Sequence, residues 1–428
     1  MVQLTSTIPG LSDSPIVDES VKTCTGFLNG RRKQDGAEGL WRIRNGLYDL
    51  QDFARNHPGG EEWIRLTRGT DITEMFESHH LTNKAEKLLP KFYVRDAKTA
   101  RSVAFTFEPD GFYSTFKKRA LDALKDVDFH HSSAKSDFIA DFLATTTFAF
   151  ALLASATQSW IAVLIAGVCL TWTAIIAHNY FHSRDSFRMY YFDLILMSSK
   201  EWRISHVMSH HMYPNTIWDH EIRSFEPFVT WYPSKERKSK FMRILSQLYS
   251  PIIWNFLTLE QGIKRYYSAY YEYGYLEFRD IVPFFLPITM SLVAPSVVTA
   301  LKTWLVIILI SSFVFSLIGL NAAHHHPDIF HDGDIYRDNL DWGLLEMDAV
   351  RGRSVVDDND FLVLTNFGSH VLHHLLPTVD HCYLPLCLPA LYQTCKEFNI
   401  SVEKFSQWEH CKGQFKQLLR TEPKKNVS

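Results

Sequence analysis

The chain has 428 residues and a formal net charge of −3, which leaves room for roughly two or three domains and gives no sign of a nucleic-acid-binding surface. Its six cysteines include no C-x-x-C pair, which argues against a disulfide framework or zinc ribbon and favours a reducing compartment. The mean hydropathy of −0.11 is that of a soluble protein, but this average conceals two long stretches that carry almost no charge.

After a polar leader over residues 1–37, residues 38–97 predict a compact domain that presents two imidazoles. The first is His57, in the run Asn-His-Pro-Gly-Gly. Proline disfavours helix at the residue before it, and paired glycines permit a tight turn, so this imidazole can project into a pocket. Downstream, the run G-T-D-I-T-E-M-F-E-S-H-H ends at His79 and His80, and Thr70 or Asp71 could cap the short helix that delivers the second imidazole.

These two motifs resemble those of cytochrome b5. The resemblance implies a small α+β domain with haem b held between two axial histidines, which fall on His57 and His80, with His79 as the rival for the second position. Two axial histidines leave the iron no open position, so the expected role is electron transfer. The alternative is a glycine-proline turn beside a surface pair of histidines.

Residues 98–137 predict a charged connector, either an interfacial helix or a solvated linker. Beyond it, residues 138–177 carry one charge, Asp141, and residues 281–323 carry one, Lys302. A helix that crosses the hydrocarbon layer needs about 20 residues. We therefore predict four transmembrane helices, over about 138–156, 158–177, 281–301 and 303–323; long buried helices of a soluble protein are the alternative.

The distribution of lysine and arginine predicts the orientation of these spans. The two hairpin tips carry almost none, whereas the connector, residues 184–279 and the C-terminal part carry many. The positive-inside rule places those regions in the cytosol. The leader has no apolar signal-peptide core, so we expect both termini to be cytosolic, including the tail over residues 396–428.

Three histidine clusters predict a metal centre. They are His178 and His182; His206, His210 and His211; and His370, His373 and His374. Helical residues three or four apart share a face, so each cluster can direct its imidazoles at one ion. Eight imidazoles exceed what one tetrahedral zinc can use, so we predict a two-metal site. Core or surface histidines are the alternative for any single cluster.

Two further segments are candidates for the same site. In the run Asn321-Ala-Ala-His324-His325-His326, Asn321 and His325 are four apart and would share a helix face. Asp219, His220 and Glu221 follow the second cluster and could orient ligand imidazoles through their free N–H groups, although a surface loop is a common location for such a triplet.

The clusters resemble the three histidine boxes of membrane fatty-acyl desaturases, and Pro214-Asn215 to Asp219 resembles the family's P-N-x-x-x-D segment. The resemblance covers residues 138–395, and the layout with its haem domain is similar to that of the insect cytochrome b5-related branch. It implies a mostly α-helical membrane domain with a cytosolic histidine-rich cap. The implied ligands of two iron ions are the eight histidines of the three boxes together with His325, and Asn321 would act through a water or a ligand.

The resemblance also implies the reaction and its partners. O2 would be used to desaturate a fatty-acyl lipid or fatty-acyl-CoA in the endoplasmic reticulum membrane, with electrons passing from NADH through cytochrome b5 reductase and the haem to the irons. Two departures leave the position of the double bond open: His370 stands where front-end desaturases usually have glutamine, and the second box has the longer H-x3-H-H spacing.

Two other functions remain open from the sequence. A fatty-acid or sphingolipid hydroxylase can share the first hydrogen abstraction and the same domain combination. A non-catalytic, membrane-anchored electron carrier would need the haem ligands but not eight further histidines at ligand spacing.

Overall fold

The computed structural model describes residues 5–16, 22–320 and 323–424. Its N-terminal part contains a three-stranded antiparallel sheet in the order β1-β2-β3, formed by Trp41–Ile43, Gly46–Tyr48 and Tyr93–Asp96. Four helices surround it: α1 (Cys24–Gln34), α2 (Glu61–Leu66), α3 (Thr73–His79) and α4 (Lys84–Leu88). A small core that includes buried Trp41 and Ile64 lies against the sheet. The predicted small α+β domain is therefore present.

The connector holds a helix, α5 (Phe112–Ala123), that packs into the body of the protein. Phe112, Tyr113 and Phe116 are buried, and the Tyr113 ring meets the Trp342 ring edge-on with their centroids 4.8 Å apart. The segment that the sequence left as an interfacial helix or a solvated linker thus includes a structural helix.

Three helices are long and apolar enough to cross a membrane: Ala134–Thr157 (α6), Trp160–Tyr180, which is α7 (Trp160–Ala177) with a following 3-10 turn, and Val297–Gly319 (α12). A serine side chain caps the N-terminus of each. Helices α7 and α12 approach closely at Gly167, where a Cβ would lie 2.5 Å from Cγ2 of Ile310. Small residues at such crossings are typical of membrane helix pairs.

The predicted span over residues 281–301 is not a single helix. A 3-10 turn (Val282–Phe284) leads into α11 (Phe285–Ser291), and α12 begins only after the cap at Ser296. A helix of seven residues is about 10 Å long, well short of the roughly 30 Å hydrocarbon layer. Three prolines interrupt the segment, at 283, 287 and 295, and proline removes a backbone donor and breaks helices. Four spans were predicted, and the described residues contain three candidate spans.

The remaining elements are mostly short helices. The helices are α8 (Ser199–Trp202), α9 (Lys240–Trp254), α10 (Leu257–Tyr267), α13 (Trp342–Ala349), α14 (Asp360–Thr365), α15 (His370–Leu375), α16 (Leu388–Glu397) and α17 (Gln407–Leu419). A π-helical segment (Arg203–His210) follows α8, a second one (Ser268–Tyr273) follows α10, and β4 (Gly352–Arg353) pairs in parallel with β5 (Lys404–Phe405). The tail predicted at 396–428 therefore contains α17, which packs against α9.

Helix α9 exposes an apolar stripe. Phe241, Ile244, Leu248 and Ile252 are among the most exposed large hydrophobic side chains, and they recur at helical spacing. An apolar stripe of this kind suits a helix that lies at the membrane surface.

Candidate metal and haem sites

The haem candidates face each other across the N-terminal domain. The rings of His57 and His80 lie with their centroids 6.2 Å apart. His57 Nδ1 bonds the Gly60 carbonyl and His80 Nδ1 bonds the Phe76 carbonyl, each at 2.9 Å. A carbonyl only accepts, so each Nδ1 carries the proton and each Nε2 presents a lone pair. Metal–imidazole bonds of about 2 Å on opposite sides of one ion give a similar ring separation, so this pair fits an axially ligated haem.

Steric constraints explain why glycine occupies positions 59 and 60, directly after His57 and Pro58. A Cβ on Gly59 would lie 2.9 Å from Cε1 of His57, so a larger residue would displace the ligand ring. Gly60 adopts φ of 110°, a conformation that glycine reaches most easily. This turn therefore depends on both glycines.

His79, the rival haem ligand, points elsewhere. Its ring lies 6.1 Å from that of Trp63 and 5.8 Å from that of His182, measured between centroids. His79 Nδ1 is 2.9 Å from Ser78 Oγ. His80 rather than His79 is paired with His57.

The box histidines come together in two groups. The first group is His178, His182, His206, His211 and His373. The second group is His210, His324 and His374, joined by His370, whose Nε2 lies 2.8 Å from His324 Nε2. The two groups adjoin, because the rings of His211 and His374 stack with centroids 4.1 Å apart. All nine side chains are buried.

The π-helical winding of Arg203–His210 explains how the second box serves both groups. The His211 N–H donates to the His206 carbonyl at 2.8 Å, an i to i+5 bond that a π-turn makes. With this wider turn His206 and His211 share the first group, while His210 points to the second. The sequence prediction, made with α-helical geometry, had directed His206, His210 and His211 at one ion. The longer H-x3-H-H spacing is thus accommodated by a local change of helix.

The structure brings His324, not His325, into the second group. His324 Nε2 lies 3.1 Å from His210 Nε2, whereas the His325 ring stacks on Trp231 with centroids 4.0 Å apart. The predicted position therefore differs by one residue, since α12 ends at Gly319 and neither His324 nor His325 lies in the helix that the i to i+4 argument assumed. Asn321, predicted to assist, lies outside the described residues.

Hydrogen bonds to Nδ1 orient most of these rings. His206 pairs with Glu221 at 3.0 Å, His210 with Asp219 at 2.8 Å and His374 with Glu346 at 2.8 Å. His324 bonds the Ala349 carbonyl, His370 bonds the Phe367 carbonyl, and His373 meets His381. Such partners fix the ring and its tautomer, as they do around metal ligands. Sequence reasoning included Asp219 and Glu221, which contact ligand rings here, and His220, whose ring nitrogens have no partner among the described residues. It missed Glu346 and His381.

The second group fits a cation because of where its protons lie. His324 and His370 donate from Nδ1 to carbonyl oxygens, and His210 faces the Asp219 carboxylate. Each Nε2 therefore presents a lone pair, yet these nitrogens are separated by only 3.1 and 2.8 Å. Facing lone pairs repel, and a shared cation removes the repulsion. Bonds of about 2.1 Å to one ion place adjacent nitrogens about 3.0 to 3.4 Å apart.

The first group also contains ring nitrogens that hydrogen bonds within the protein do not satisfy. His178 Nε2 lies 2.7 Å from His206 Nε2 and 3.0 Å from His373 Nε2. Because His206 has its proton at Nδ1, facing Glu221, the His178 nitrogen cannot form good hydrogen bonds with both neighbours. Neither nitrogen of His182 has a partner among the described residues. A metal ion would satisfy these nitrogens.

Burial keeps most of these imidazoles in the neutral form that metals bind. It lowers the pKa of His211, His324 and His373 well below the usual value. For His210, burial also acts to lower the pKa, but the Asp219 carboxylate outweighs it and the net shift is upward. An all-imidazole donor set suits iron, zinc or copper better than magnesium or calcium.

A cavity runs from the two groups into the protein. Its metal-side wall includes His206, His210, His324 and His370. Its apolar lining includes Met197, Trp202, Phe225, Leu257, Phe315 and Phe367, and Lys22, Thr23, Gln261 and Lys264 also border it. The cavity thus joins an apolar channel to the histidine site.

A family model described as "Fatty acid desaturase" matches residues 129–406, well over half of the chain. The chain belongs to the fatty acid desaturase family. A second model, "Cytochrome b5-like Heme/Steroid binding domain", matches residues 31–98. The family resemblance drawn from the histidine boxes and the haem motif is confirmed.

Among similar proteins, the "Cytochrome b5-related protein" of Drosophila melanogaster is 44% identical over 405 residues, covering 94% of this chain and 92% of that protein. The "Probable Delta(5) fatty acid desaturase C" of Dictyostelium discoideum is 23% identical, covering 85% of this chain and 87% of that protein. The "Acyl-lipid (8-3)-desaturase" of Mortierella alpina is 21% identical, covering 84% and 88%. No solved structure matches the chain.

Family membership and the three apolar helices indicate a membrane protein. The family models and the histidine groups together indicate an oxidoreductase of the fatty acid desaturase family with a haem-binding domain.

Proposed function

We propose that this family member is a fatty-acyl desaturase that uses two irons, O2 and electrons from its own haem domain. The observation that carries the proposal is the second histidine group, where three Nε2 lone pairs face one another at 2.8 and 3.1 Å. Such an arrangement is unfavourable without a cation and favourable with one. The adjoining first group offers a second position.

The proposed ligands divide between two ions. His178, His182, His206, His211 and His373 would hold one, and His210, His324, His370 and His374 the other. Bound iron supplies the activation of O2 and the cleavage of an unactivated C–H bond, which no acid–base side chain provides. Glu221, Asp219 and Glu346 hold protons at Nδ1 of their histidines and so direct the Nε2 lone pairs inward.

The substrate of the proposal is an acyl chain on a lipid or on CoA. The apolar lining of the cavity, with Trp202, Phe315 and Phe367 beside the histidines, suits a hydrocarbon chain and would exclude water from the reacting carbons. Leu257, Gln261 and Lys264 border the same cavity. They lie on α10, which follows the α9 apolar stripe, and this supports entry from the membrane surface.

Electrons would reach the chain from NADH through cytochrome b5 reductase, as in the family resemblance. The pairing of His57 with His80 supports an electron-carrying haem, since it would leave no open position on the iron. The fused domain converts a bimolecular encounter into a tethered one. We place the protein in the endoplasmic reticulum membrane, as the family resemblance implies. The distribution of lysine and arginine supports cytosolic termini, which requires the interrupted segment over residues 281–296 to carry the chain across the membrane in addition to the three candidate spans.

Two alternative functions are a hydroxylase and a non-catalytic electron carrier, and the reaction product distinguishes them from a desaturase. A hydroxylase would use the same metal arrangement. A non-catalytic electron carrier would gain nothing from nine buried imidazoles, three of which face one another through Nε2, and this arrangement favours an enzyme.

The test uses the full chain with cytochrome b5 reductase, NADH, O2 and a series of acyl lipids and acyl-CoAs in membranes. Products are analysed by mass spectrometry. A new double bond supports the proposal, a new hydroxyl group supports the hydroxylase, and no oxidised lipid with an intact haem spectrum supports the carrier. His373→Ala should abolish the product, and the matched change at exposed His131, which faces Asp128, should leave it.

A further inference from the structure

The N-terminal domain with the proposed haem ligands contacts the part of the chain that holds the histidine groups. Glu62 forms ion pairs with Arg203 at 2.5 Å and Arg279 at 2.8 Å. Trp63 Nε1 donates to the Ser183 carbonyl at 3.2 Å, next to the predicted ligand His182. These contacts fix the orientation of the haem domain toward the first histidine group.

His79 occupies the space where the two sites come closest. His79 directly precedes His80 in the chain. The centroid of its ring lies 5.8 Å from that of the His182 ring, and the two ring planes are 33° apart. On its other side it packs against the Trp63 ring. A covalent link to one proposed haem ligand and a ring contact with one proposed metal ligand thus meet in a single residue.

His79 has no other evident task. It stands outside the histidine groups that could hold a metal, and His57 is paired with His80. Its Nε2 is buried and has no hydrogen-bond partner in the described part of the chain. An imidazole kept in this position without satisfying its nitrogen is unusual for a purely structural residue.

We propose that His79 is the bridging residue through which electrons pass from the haem to the first histidine group. The inference rests on the proposed function, which supplies the haem and the irons. A haem held by His57 and His80 would supply one electron, and iron held by the first histidine group would accept it, with no bond made or broken and no proton required. Electron tunnelling weakens steeply with distance and with empty space, so a packed ring and one peptide link make a short path.

The test follows that single step without the oxidation reaction. The full chain, loaded with haem and with ferric iron, is held without O2 or substrate. A flash-activated photoreductant then reduces the haem, and the haem absorption is followed as it reoxidises. In the native chain the reoxidation should require loaded iron. His79→Ala should slow it several-fold, because the variant leaves empty space between the two sites. His79→Phe, which refills the space with a ring, should restore most of the rate.

Several outcomes would overturn the inference. Equal rates in the native chain and His79→Ala would exclude His79 from the path. Loss of the two-histidine haem spectrum in His79→Ala and His79→Phe would make His79 a haem ligand instead. If the native chain shows no iron-dependent reoxidation, the electron route of the proposed function fails as well. The His79 variants should keep the native iron content and haem potential. The His131→Ala control should behave like the native chain in every measurement.

Discussion

The replacement Glu346→Ala tests whether the buried carboxylates serve the metal centre. Glu346 and His374 are both fully buried, and Oε2 lies 2.8 Å from His374 Nδ1. Without metal, burial raises the pKa of Glu346 well above its usual value. With metal on Nε2, His374 must carry its proton at Nδ1, and Glu346 is its acceptor.

The magnitude follows from that single contact. Loss of such an outer hydrogen bond lowers metal affinity by about 10- to 100-fold, or roughly 1.4 to 2.7 kcal/mol. Both groups are shielded from water, so no solvent replaces the acceptor, and we expect the upper part of that range. Glu346→Gln should lose less, because the amide oxygen still accepts.

The assay is a chelator titration of the purified protein, with iron per haem as the readout. Glu346→Ala should release one of its two non-haem irons at a chelator concentration about 10- to 100-fold lower than the native chain. Haem content and thermal unfolding show whether each variant is folded. The reasoning is refuted if folded Glu346→Ala retains both irons at the native chelator concentration.

Other predictions separate neighbouring roles. His324→Ala should lose the iron of the second group and the oxidised product, whereas His325→Ala should keep both; equal loss in the two variants would mean that the ligand assignment is wrong. Glu62→Ala should weaken docking of the haem domain by about 2 kcal/mol, seen as faster proteolysis of the connector over residues 98–111, and an unchanged cleavage rate would contradict it. Gly167→Ala places a Cβ 2.5 Å from the facing helix and should destabilise the detergent-solubilised protein by about 1–3 kcal/mol. At Gly319 the nearest atom is 3.5 Å away, so Gly319→Ala should unfold at nearly the native temperature.

Local spacing made much of the site predictable. His57 lies in a turn whose shape depends on adjacent glycines, and His178 and His182 are close enough in sequence that any helical winding keeps them together. Helices α6 and α7 were likewise predictable, because each is a continuous apolar stretch long enough to cross a membrane. In each case the residues that determine the local structure lie within about 20 positions of one another in the sequence.

The remaining features depend on contacts that sequence spacing does not contain. His324 enters the second group because the chain leaves helix α12 before it, so a helical register cannot choose between His324 and His325. Glu346 reaches His374 across 28 residues. The broken span before α12 could have been read from its prolines, but the low charge of that segment suggested a continuous helix.

The most direct test of the central claim, that nine imidazoles hold two irons, is the metal content of the detergent-purified full chain after reconstitution with haem and ferrous iron. The account predicts about three irons per haem, one in the porphyrin and two outside it, with His324→Ala and His373→Ala each losing non-haem iron. One iron per haem in the folded native chain, with none in the histidine groups, would contradict it.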